Sequence, residues 1–365
     1  MVAIRLCEAG REVTLLEKES CAHHKVCGEF LSPEAQEYLR QVGVDALALG
    51  ASTIRFLRLS SGKSLIETGL PFTALSLSRF ALDEAMLARA AEKGCNVRRG
   101  TFVERLATED NLWTAELRGG DLLRAQNVFL ANGKHDLRGW DRAHTGQGDL
   151  VGFKLHWRLE PAQTEALKGF IEIFLFPGGY GGLSLVEGDV ANLCLVVRRA
   201  RLRLVGGWNG LLASILEANR HMQQRLQRAK PLWDRPLAIS SIPYGYLGGR
   251  PDAVWRLGDQ AAVIPSFTGD GMSIALHSAA LAAQMYLAGA SPDEYRRRLH
   301  AQLSKGMSLA TALSRAMVTG TGRAIAPFAL SLMPGAMRWF ASSTRIPKRA
   351  VLAGPALSRG KQEFR

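Results

Sequence analysis

The sequence has few cysteines and no long apolar run. Its five cysteines, Cys7, Cys21, Cys27, Cys95 and Cys194, are scattered over 365 residues. An odd and dispersed set does not form a disulfide framework, so we expect a reducing, cytoplasmic location. No uninterrupted run of about 18 apolar residues is present, so we expect no transmembrane helix. The first dozen residues are rich in charge, and we expect no signal peptide.

Acidic residues are scarce toward the C-terminus. From Arg296 onward, 13 Lys and Arg stand against one acid, Glu363, so this segment carries nearly all of the net charge of +13. No zinc-finger spacing, RRM motif or helix-turn-helix accompanies these cations, and nucleic acid is not an expected partner. Two interpretations are left: peripheral contact with an anionic membrane, or a solvated helical tail.

The stretch over residues 255–278 predicts a short strand, a carboxylate and a glycine-rich helix start. Gly258-Asp259 ends the strand, and residues 268–271 (Thr-Gly-Asp-Gly) precede a predicted helix over 272–288. Glycines let a ligand approach the backbone, and a helix start offers unpaired N–H groups and a positive dipole end. The carboxylate could bind a polyol hydroxyl, and the helix start an electron-rich ring. An ordinary strand–loop–helix crossover is the alternative.

Residues 1–18 predict a helix, a glycine and a buried strand. The helix ends at Gly10, and the strand ends in Glu17 and Lys18. This order is that of the second half of a dinucleotide-binding βαβ unit, in which the terminal acid binds the ribose hydroxyls of the adenosine. Glu17 is therefore the candidate ribose ligand, with Lys18 beside it.

A polar loop over residues 20–34 contains the run Lys25-Val26-Cys27-Gly28. The nearby set Cys21, His23, His24 and Cys27 could bind a metal. Its spacing is atypical of structural zinc, however, and no second ligand pair follows, so we expect no metal. A buried, inert Cys27 is a further interpretation.

Two shorter signals follow along the chain. Arg79 begins an amphipathic helix that is expected to end near Lys93, although a cation at a helix start opposes the helix dipole. The unfavourable position indicates that Arg79 has a functional role. The alternative is that Arg79 is an ordinary exposed residue of the first turn. Asn132-Gly133 forms a turn directly after a predicted strand.

In their order, these motifs resemble those of the FAD-dependent oxidoreductase superfamily that includes geranylgeranyl reductase and para-hydroxybenzoate hydroxylase. The resemblance implies FAD as cofactor and a Rossmann-like FAD-binding domain. It implies that Asp259 binds the ribityl chain and that the flavin pyrimidine edge faces the start of the last helix. The residues implied at that start are Gly269, Asp270, Gly271 and Met272. The others implied to contact the cofactor are Cys27, Gly28, Arg79, Asn132 and Gly133.

The sequence departs from this family in two places. The last glycine of the family's G-x-G-x-x-G loop would fall just before Met1, so the first strand and phosphate loop lie outside these 365 residues. We expect this chain to bind FAD poorly and an N-terminally extended chain to bind it well; a degenerate protein is the alternative. Asn132 and Asp136 stand where the common form has Asp and Ser. The family allows NAD(P)H as the electron donor, but these two substitutions weaken that expectation for this chain.

Residues 150–200 alternate as antiparallel strands with glycine-rich turns, which predicts a second sheet. Phe174, Phe176 and Tyr180 are its candidate substrate-binding residues, and core packing is the alternative interpretation. Geranylgeranyl reductases typically carry an aromatic Tyr-x-Trp-x-Phe-Pro run here. This chain has small and aliphatic residues after Tyr180, so the polyprenyl substrate does not simply carry over.

We therefore predict an α/β fold: a Rossmann-like FAD-binding domain, an inserted antiparallel β-sheet substrate domain and a helical C-terminal region. The FAD-binding domain would comprise residues 1–49, 79–134 and 252–290. The substrate domain would comprise residues 50–78 and 135–251. The basic helical region would cover 291–365, and its apolar segment over 324–341 suits either a membrane interface or a lid.

Three functions agree with these patterns. The first is an FAD-dependent reductase of a C=C bond in a small lipophilic substrate, with Cys27 as the candidate proton donor. The second is an FAD-dependent monooxygenase acting on an aromatic or polyketide-like substrate. The third is a cofactor-poor, membrane-associated binding protein. A flavin halogenase is less well supported, because no two of the seven Trp are spaced i, i+2 as that group's Trp-x-Trp motif requires.

Overall fold

The computed structural model describes residues 1–110, 112–142, 148–249, 251, 253–319 and 334–352. The helices of this part are α1 Val2–Glu8, α2 Pro33–Gln41, α3 Arg79–Glu92, α4 Pro161–Leu167, α5 Arg199–Leu204, α6 Trp208–Ala218, α7 Arg220–Leu226, α8 Gly271–Leu287, α9 Pro292–Met317 and α10 Pro334–Ser343. The apolar segment predicted over 324–341 falls largely outside the described residues, and only its last part lies in α10.

The strands are short except in the large sheet. They are β1 Thr14–Leu16, β2 Phe30–Leu31, β3 Ser52–Ser61, β4 Ser64–Ser76, β5 Asn96–Arg98, β6 Val103–Glu109, β7 Leu112–Leu117, β8 Leu122–Ala125, β9 Phe129–Leu130, β10 Leu150–Arg158, β11 Gly169–Phe176, β12 Gly179–Leu185, β13 Ala191–Arg198, β14 Lys230–Pro231, β15 Leu237–Ser240, β16 Tyr246–Leu247, β17 Trp255–Arg256 and β18 Ala262–Val263.

Two parallel strand pairs lie outside the large sheet. β1 pairs with β5, and β9 pairs with β17. Helix α1 packs against α3 and α8, and α3 packs against β5. The apolar side of α1 (Ala3, Ile4 and Leu6) is buried in this contact. Ser78 caps the start of α3 by accepting a hydrogen bond from the Ala81 N–H at 3.1 Å. The helix–glycine–strand prediction for residues 1–18 is confirmed.

The second sheet has nine strands in the order β14-β10-β13-β12-β11-β3-β4-β2, with β15 also pairing with β10. All of its pairs are antiparallel except β11 with β3. A parallel pair requires a long connection, and over a hundred residues separate these two strands. The predicted α/β class with a second, mainly antiparallel sheet is confirmed. The domain boundaries stay a prediction.

The two faces of this sheet differ in chemistry, because successive side chains of a strand point to opposite faces. One face carries Phe153, Trp157, Phe174 and Phe176, which pack with α6 and α7 in an apolar core. The other face carries polar groups on β10 and β13 and aliphatic groups on β11 and β3. The residues of this second face are Lys154, His156, Asn192, Cys194, Gly182, Ser184, Ile171, Ile173, Leu57 and Leu59.

The long helix α8 packs against three other helices. Its middle is buried between α1, α2 and α9. Ser278 accepts a hydrogen bond from the Gly258 N–H at 2.9 Å, and so fixes the turn after β17 against the helix. No helix in the described part of the chain is long and apolar enough to cross a bilayer.

Candidate functional site

One large cavity, of about 2080 Å³, lies between the parallel strand pairs and the second face of the large sheet. Most of the residues predicted from the sequence to bind cofactor or substrate line it. They are Glu17, Lys18, Cys27, Gly28, Arg79, Asn132, Gly133, Asp259, Gly269, Gly271, Met272 and Tyr180. Segments that are far apart in the chain therefore meet at one site.

Three predicted site residues do not line the cavity. Phe174 and Phe176 are buried in the core on the opposite face of the sheet, as the core interpretation had it. Asp270 is also buried, and its carboxylate lies near Thr344 Oγ1 at 3.4 Å and Arg345 at 3.7 Å. A ligand in the cavity could therefore meet the backbone of this segment but not the Asp270 side chain.

The start of α8 forms one wall of the cavity. Gly269 adopts φ = +73°, and a Cβ there would lie 2.5 Å from Cδ1 of Phe30. Only glycine fits both constraints. A Cβ on Gly271 would instead meet no atom within 4 Å. The first turn of a helix of 17 residues thus faces open space with unpaired N–H groups, an arrangement that binds electron-rich groups.

Asp259 lies beside this helix start, in the turn that follows β17. Its backbone carbonyl accepts a hydrogen bond from Arg142 Nη1 at 2.6 Å. The neighbouring Gln260 donates to the Gly133 carbonyl at 2.7 Å, which ties the turn to the Asn132-Gly133 segment. No group among the described residues hydrogen-bonds to the Asp259 carboxylate, and it is available to ligand hydroxyls.

A chain of ion pairs occupies the end of the cavity near β1. Lys25 lies 3.7 Å from Glu17 and 2.9 Å from Asp83, and Arg79 contacts the same Asp83 at 2.7 Å. The Glu17 carboxylate also accepts a hydrogen bond from the Glu19 N–H at 3.1 Å. The predicted ribose ligand and the predicted cofactor arginine therefore belong to one network, with Lys25 and Asp83 as the links.

Cys27 lies half-buried on the cavity wall. Its sulfur accepts a hydrogen bond from the Glu29 N–H at 3.3 Å, and its carbonyl accepts one from Asn192 Nδ2 at 3.2 Å. These contacts hold the Lys25–Gly28 run against the polar end of the large sheet. They leave the thiol hydrogen of Cys27 free to point into the cavity.

Glu29 and its partners were not anticipated from the sequence. Glu29 is completely buried and contacts Lys154, His156 at 3.0 Å and the Arg79 N–H at 2.8 Å. Burial raises the pKa of Glu29, but the hydrogen bond from His156 and the charge of Lys154 outweigh it and hold that pKa below its ordinary value. The available signal was Lys154 and His156 at i, i+2 on one face of an otherwise apolar strand.

Among the described residues, one group of three side chains is close enough together to bind a metal ion. It consists of His24, Glu29 and His156, whose ligand atoms lie within 4.8 Å of one another. The Cys21, His23, His24 and Cys27 set weighed from the sequence is not brought together in this way. Lys154 already neutralises Glu29, and a divalent cation would add charge to a buried site with one carboxylate. The cluster therefore suits an ion pair better than a metal.

The far end of the cavity is apolar. Neighbouring strands contribute a row across the sheet through Cys194, Gly182, Ile173 and Leu59. A Cβ on Gly182 would lie 3.6 Å from Cδ1 of Ile173, so the glycine leaves room in front of the sheet. We call this end the apolar chamber, and Met337 and Phe340 of α10 close it from outside.

Two phenols stand between the apolar chamber and the start of α8. Tyr180 and Tyr244 are buried and line the cavity, and the Tyr180 hydroxyl lies 3.3 Å from Ser314 Oγ. Burial raises the pKa of both phenols, so each stays protonated at neutral pH. They place two hydroxyl groups in a largely apolar wall.

Comparison with known proteins agrees with this architecture. The structure is similar to that of the myxobacterial FAD-dependent halogenase CndH, with a TM-score of 0.73 and 16% identity, covering 96% of this chain and 91% of that one. It is equally similar to a flavoprotein/dehydrogenase from Cytophaga hutchinsonii, with a TM-score of 0.74 and 17% identity, covering 94% and 89%. The chain has a flavoprotein fold. The resemblance inferred from the motifs is therefore confirmed at the level of fold.

Sequence comparison adds one relative. A menaquinone reductase of Mycolicibacterium smegmatis is 22% identical over 335 residues, which are 84% of this chain and 78% of that protein. No protein-family model matches the sequence.

Proposed function

We propose that the protein is an FAD-dependent oxidoreductase that reduces a C=C bond in a small lipophilic substrate. The proposal rests on one observation: a single cavity has a polar end and an apolar end. Dinucleotide-type groups (Glu17, Asp259 and the start of α8) line one end, and the apolar chamber forms the other.

The residues present fit FAD. The cavity is larger than the about 300–1,000 Å³ of most small-molecule sites, so it has room for a dinucleotide and a second ligand. The Asp259 carboxylate has no hydrogen-bond partner among the described residues. A Cβ on Gly28, Gly133 or Gly271 would meet no atom within 4 Å, so the cavity walls stay open where a flat ring would lie against them.

Bound FAD would supply the hydride that the reaction needs. The contributions of this chain are electrostatic and steric. The N–H groups at the start of α8 stabilise negative charge beside them, which favours the reduced cofactor. The apolar chamber excludes water and holds the lipophilic part of the substrate.

Alkene reduction also requires a proton for the second carbon. Cys27 is our candidate donor, because its sulfur is held by the Glu29 N–H while its own hydrogen can point into the cavity. A Cys27→Ser variant, which keeps a hydroxyl donor, is expected to retain more activity than Cys27→Ala. Equal activity of both variants would assign the proton to another group.

The reductase assignment is supported by the aliphatic lining of the chamber and by a relative that is named a menaquinone reductase. The test is to add FAD to the purified, N-terminally extended protein, record its absorbance spectrum, and reduce it anaerobically with stoichiometric dithionite. Mass spectrometry then measures whether a C=C bond of a polyprenyl alcohol gains two hydrogens, since a quinone ring would itself accept the electrons. A matched Asp259→Ala variant is expected to bind FAD at least about tenfold more weakly, since it lacks the free carboxylate.

The same experiment separates the alternatives. Oxygen consumption on addition of NAD(P)H and an aromatic substrate, without alkene reduction, would identify a monooxygenase. An N-terminally extended protein that stays colourless at high FAD concentration would favour a cofactor-poor binding protein, since the 365-residue chain is itself expected to bind FAD poorly. Use of dithionite first keeps the result independent of whether NAD(P)H is the natural electron donor.

A further inference from the structure

The outer face of α10 combines an exposed aromatic ring with cations. Trp339 is 57% exposed, although its ring stacks edge-on against Phe340 at 5.0 Å. Arg338 beside it is exposed, and Lys348 and Arg349 are exposed a short distance along the chain. A large aromatic side chain flanked by cations is the combination that lies stably at the polar boundary of a bilayer.

The inner face of the same helix closes the cavity. Met337 is buried, and Met337, Phe340 and Ala341 line the apolar chamber. The helix packs on β4, whose Leu70 and Phe72 also line the chamber. In the part of the chain that the structure describes, this helix of ten residues therefore lies between the apolar chamber and the protein surface.

The charge of this segment has one sign. Residues 334–352 contain four cations, Arg338, Arg345, Lys348 and Arg349, and no acid. Arg345 is used internally, since it contacts Glu34 at 2.7 Å and Asp270 at 3.7 Å. The other three have no carboxylate within ion-pair distance among the described residues, so their charge is available to an anionic partner.

We propose that the outer face of α10 docks on an anionic lipid bilayer and that a lipophilic substrate enters the apolar chamber beside this helix. Each cation near an anionic membrane surface strengthens binding, and Trp339 adds the burial of an amphipathic ring. The docking does not depend on the chemistry at the flavin site. The entry route rests on the proposed function.

A second exposed surface provides a matched control. Leu204 of α5 is 76% exposed and follows Arg203, which is also exposed. The pair of substitutions Arg203→Glu and Leu204→Ser changes charge and apolar exposure in the same way as Arg338→Glu and Trp339→Ser. Both double variants alter exposed side chains, and circular dichroism will verify that each keeps the parent's fold.

The experiment is co-sedimentation of the full chain with vesicles of phosphatidylcholine alone or mixed with phosphatidylglycerol. We expect binding to the anionic vesicles only, weakened by salt, and a loss of at least about tenfold in partitioning for the Arg338→Glu/Trp339→Ser variant. Lys348→Glu/Arg349→Glu should lose a similar amount, and the α5 variant should bind as the parent does.

Three results would overturn the proposal: equal binding to both kinds of vesicle, no loss on changing α10, or a loss confined to the α5 variant. The readout needs no flavin and no turnover, so docking and the proposed function fail separately. Vesicle binding without reduction of any lipophilic alkene would reject the reductase and leave the docking surface in place. Reduction of a detergent-solubilised alkene without vesicle binding would do the reverse.

Discussion

Glu29 and Lys154 form an ion pair in which neither side chain is exposed to solvent, although 125 residues separate them in the chain. The pair joins the loop that carries Cys27 to strand β10 of the large sheet. Two charges removed from water are stable only when each keeps its partner. This contact therefore holds the loop in place at the junction of the two sheets.

Removal of one partner is expected to cost more than removal of both. Lys154→Met leaves the Glu29 carboxylate buried with fewer partners and should lower the free energy of unfolding by about 3–5 kcal/mol. The double variant Glu29→Gln/Lys154→Met should recover a substantial part of that loss. Urea denaturation of the single and double variants measures both values.

The exposed pair of Lys168 with Glu165 supplies the control. The side chain of Lys168 is 49% exposed and that of Glu165 is 74% exposed. Lys168→Met should leave the stability nearly unchanged, because exposed pairs contribute little. Equal effects at the two lysines would contradict the structural importance assigned to Glu29 and Lys154.

Two glycines at the start of α8 should respond differently to the same change. Gly269→Ala combines a left-handed backbone with a contact of 2.5 Å to Phe30, and we expect it to lower stability by about 2–4 kcal/mol. Gly271→Ala places a methyl group in open space, so the protein should fold normally. It should nevertheless bind FAD at least about tenfold more weakly, because the methyl group occupies the cavity. Denaturation and FAD titration distinguish the two effects, and unchanged FAD affinity in Gly271→Ala would move the flavin away from this helix.

The neighbouring residues Gly181 and Gly182 allow a similar comparison in the sheet. A Cβ on Gly181 would lie 2.2 Å from Cζ of Phe174 in the core, and Gly181→Ala should cost about 3 kcal/mol. A Cβ on Gly182 would make only ordinary contact with Ile173, so Gly182→Ala should change stability by less than about 1 kcal/mol. Gly182→Val should narrow the apolar chamber and lower kcat/KM more for a long lipophilic substrate than for a short one. An equal loss for both lengths would place the substrate elsewhere.

The sequence was sufficient for features that depend on local order along the chain. The strand ending in Glu17, the Asp259 turn and the helix start at Gly271 follow from glycine positions and apolar periodicity, and the structure brings them to one cavity. The direction of a single side chain was not accessible in the same way. Asp270 was predicted to be a cofactor-binding residue of the helix start, but its carboxylate is buried near Arg345, a residue 75 positions away whose contact no local pattern encodes.

The cluster of Glu29, Lys154 and His156 is a second case in which a contact between distant residues could not be predicted from the sequence. Lys154 and His156 interrupt an apolar strand, but their partner lies more than a hundred residues earlier in the chain. Pairing of buried charges depends on how the two sheets meet. The choice among Phe174, Phe176 and Tyr180 likewise depended on which sheet face turns to the cavity, and strand alternation alone left that open.

Asp270 gives the chain a pH dependence of known sign. Burial raises the pKa of Asp270 from 3.8 to about 6, although Arg345 opposes the rise. Between these two pH values the folded protein holds a proton that the unfolded chain has released, so stability falls as pH increases through this window. The fall attributable to Asp270 should be about 2–3 kcal/mol and should be complete somewhat above pH 6.

Asp270→Asn tests this assignment, because the amide keeps the size of the carboxylate and cannot ionise. We expect the stability of the parent, relative to this variant, to decrease as pH rises from 4 to 7, measured by urea denaturation at each pH. Arg345→Met should raise the pKa of Asp270 further and extend the decrease to higher pH, since it removes the opposing cation. A stability difference between parent and Asp270→Asn that does not change over this range would contradict the assignment, because it would show that Asp270 does not titrate in the folded protein between pH 4 and 7.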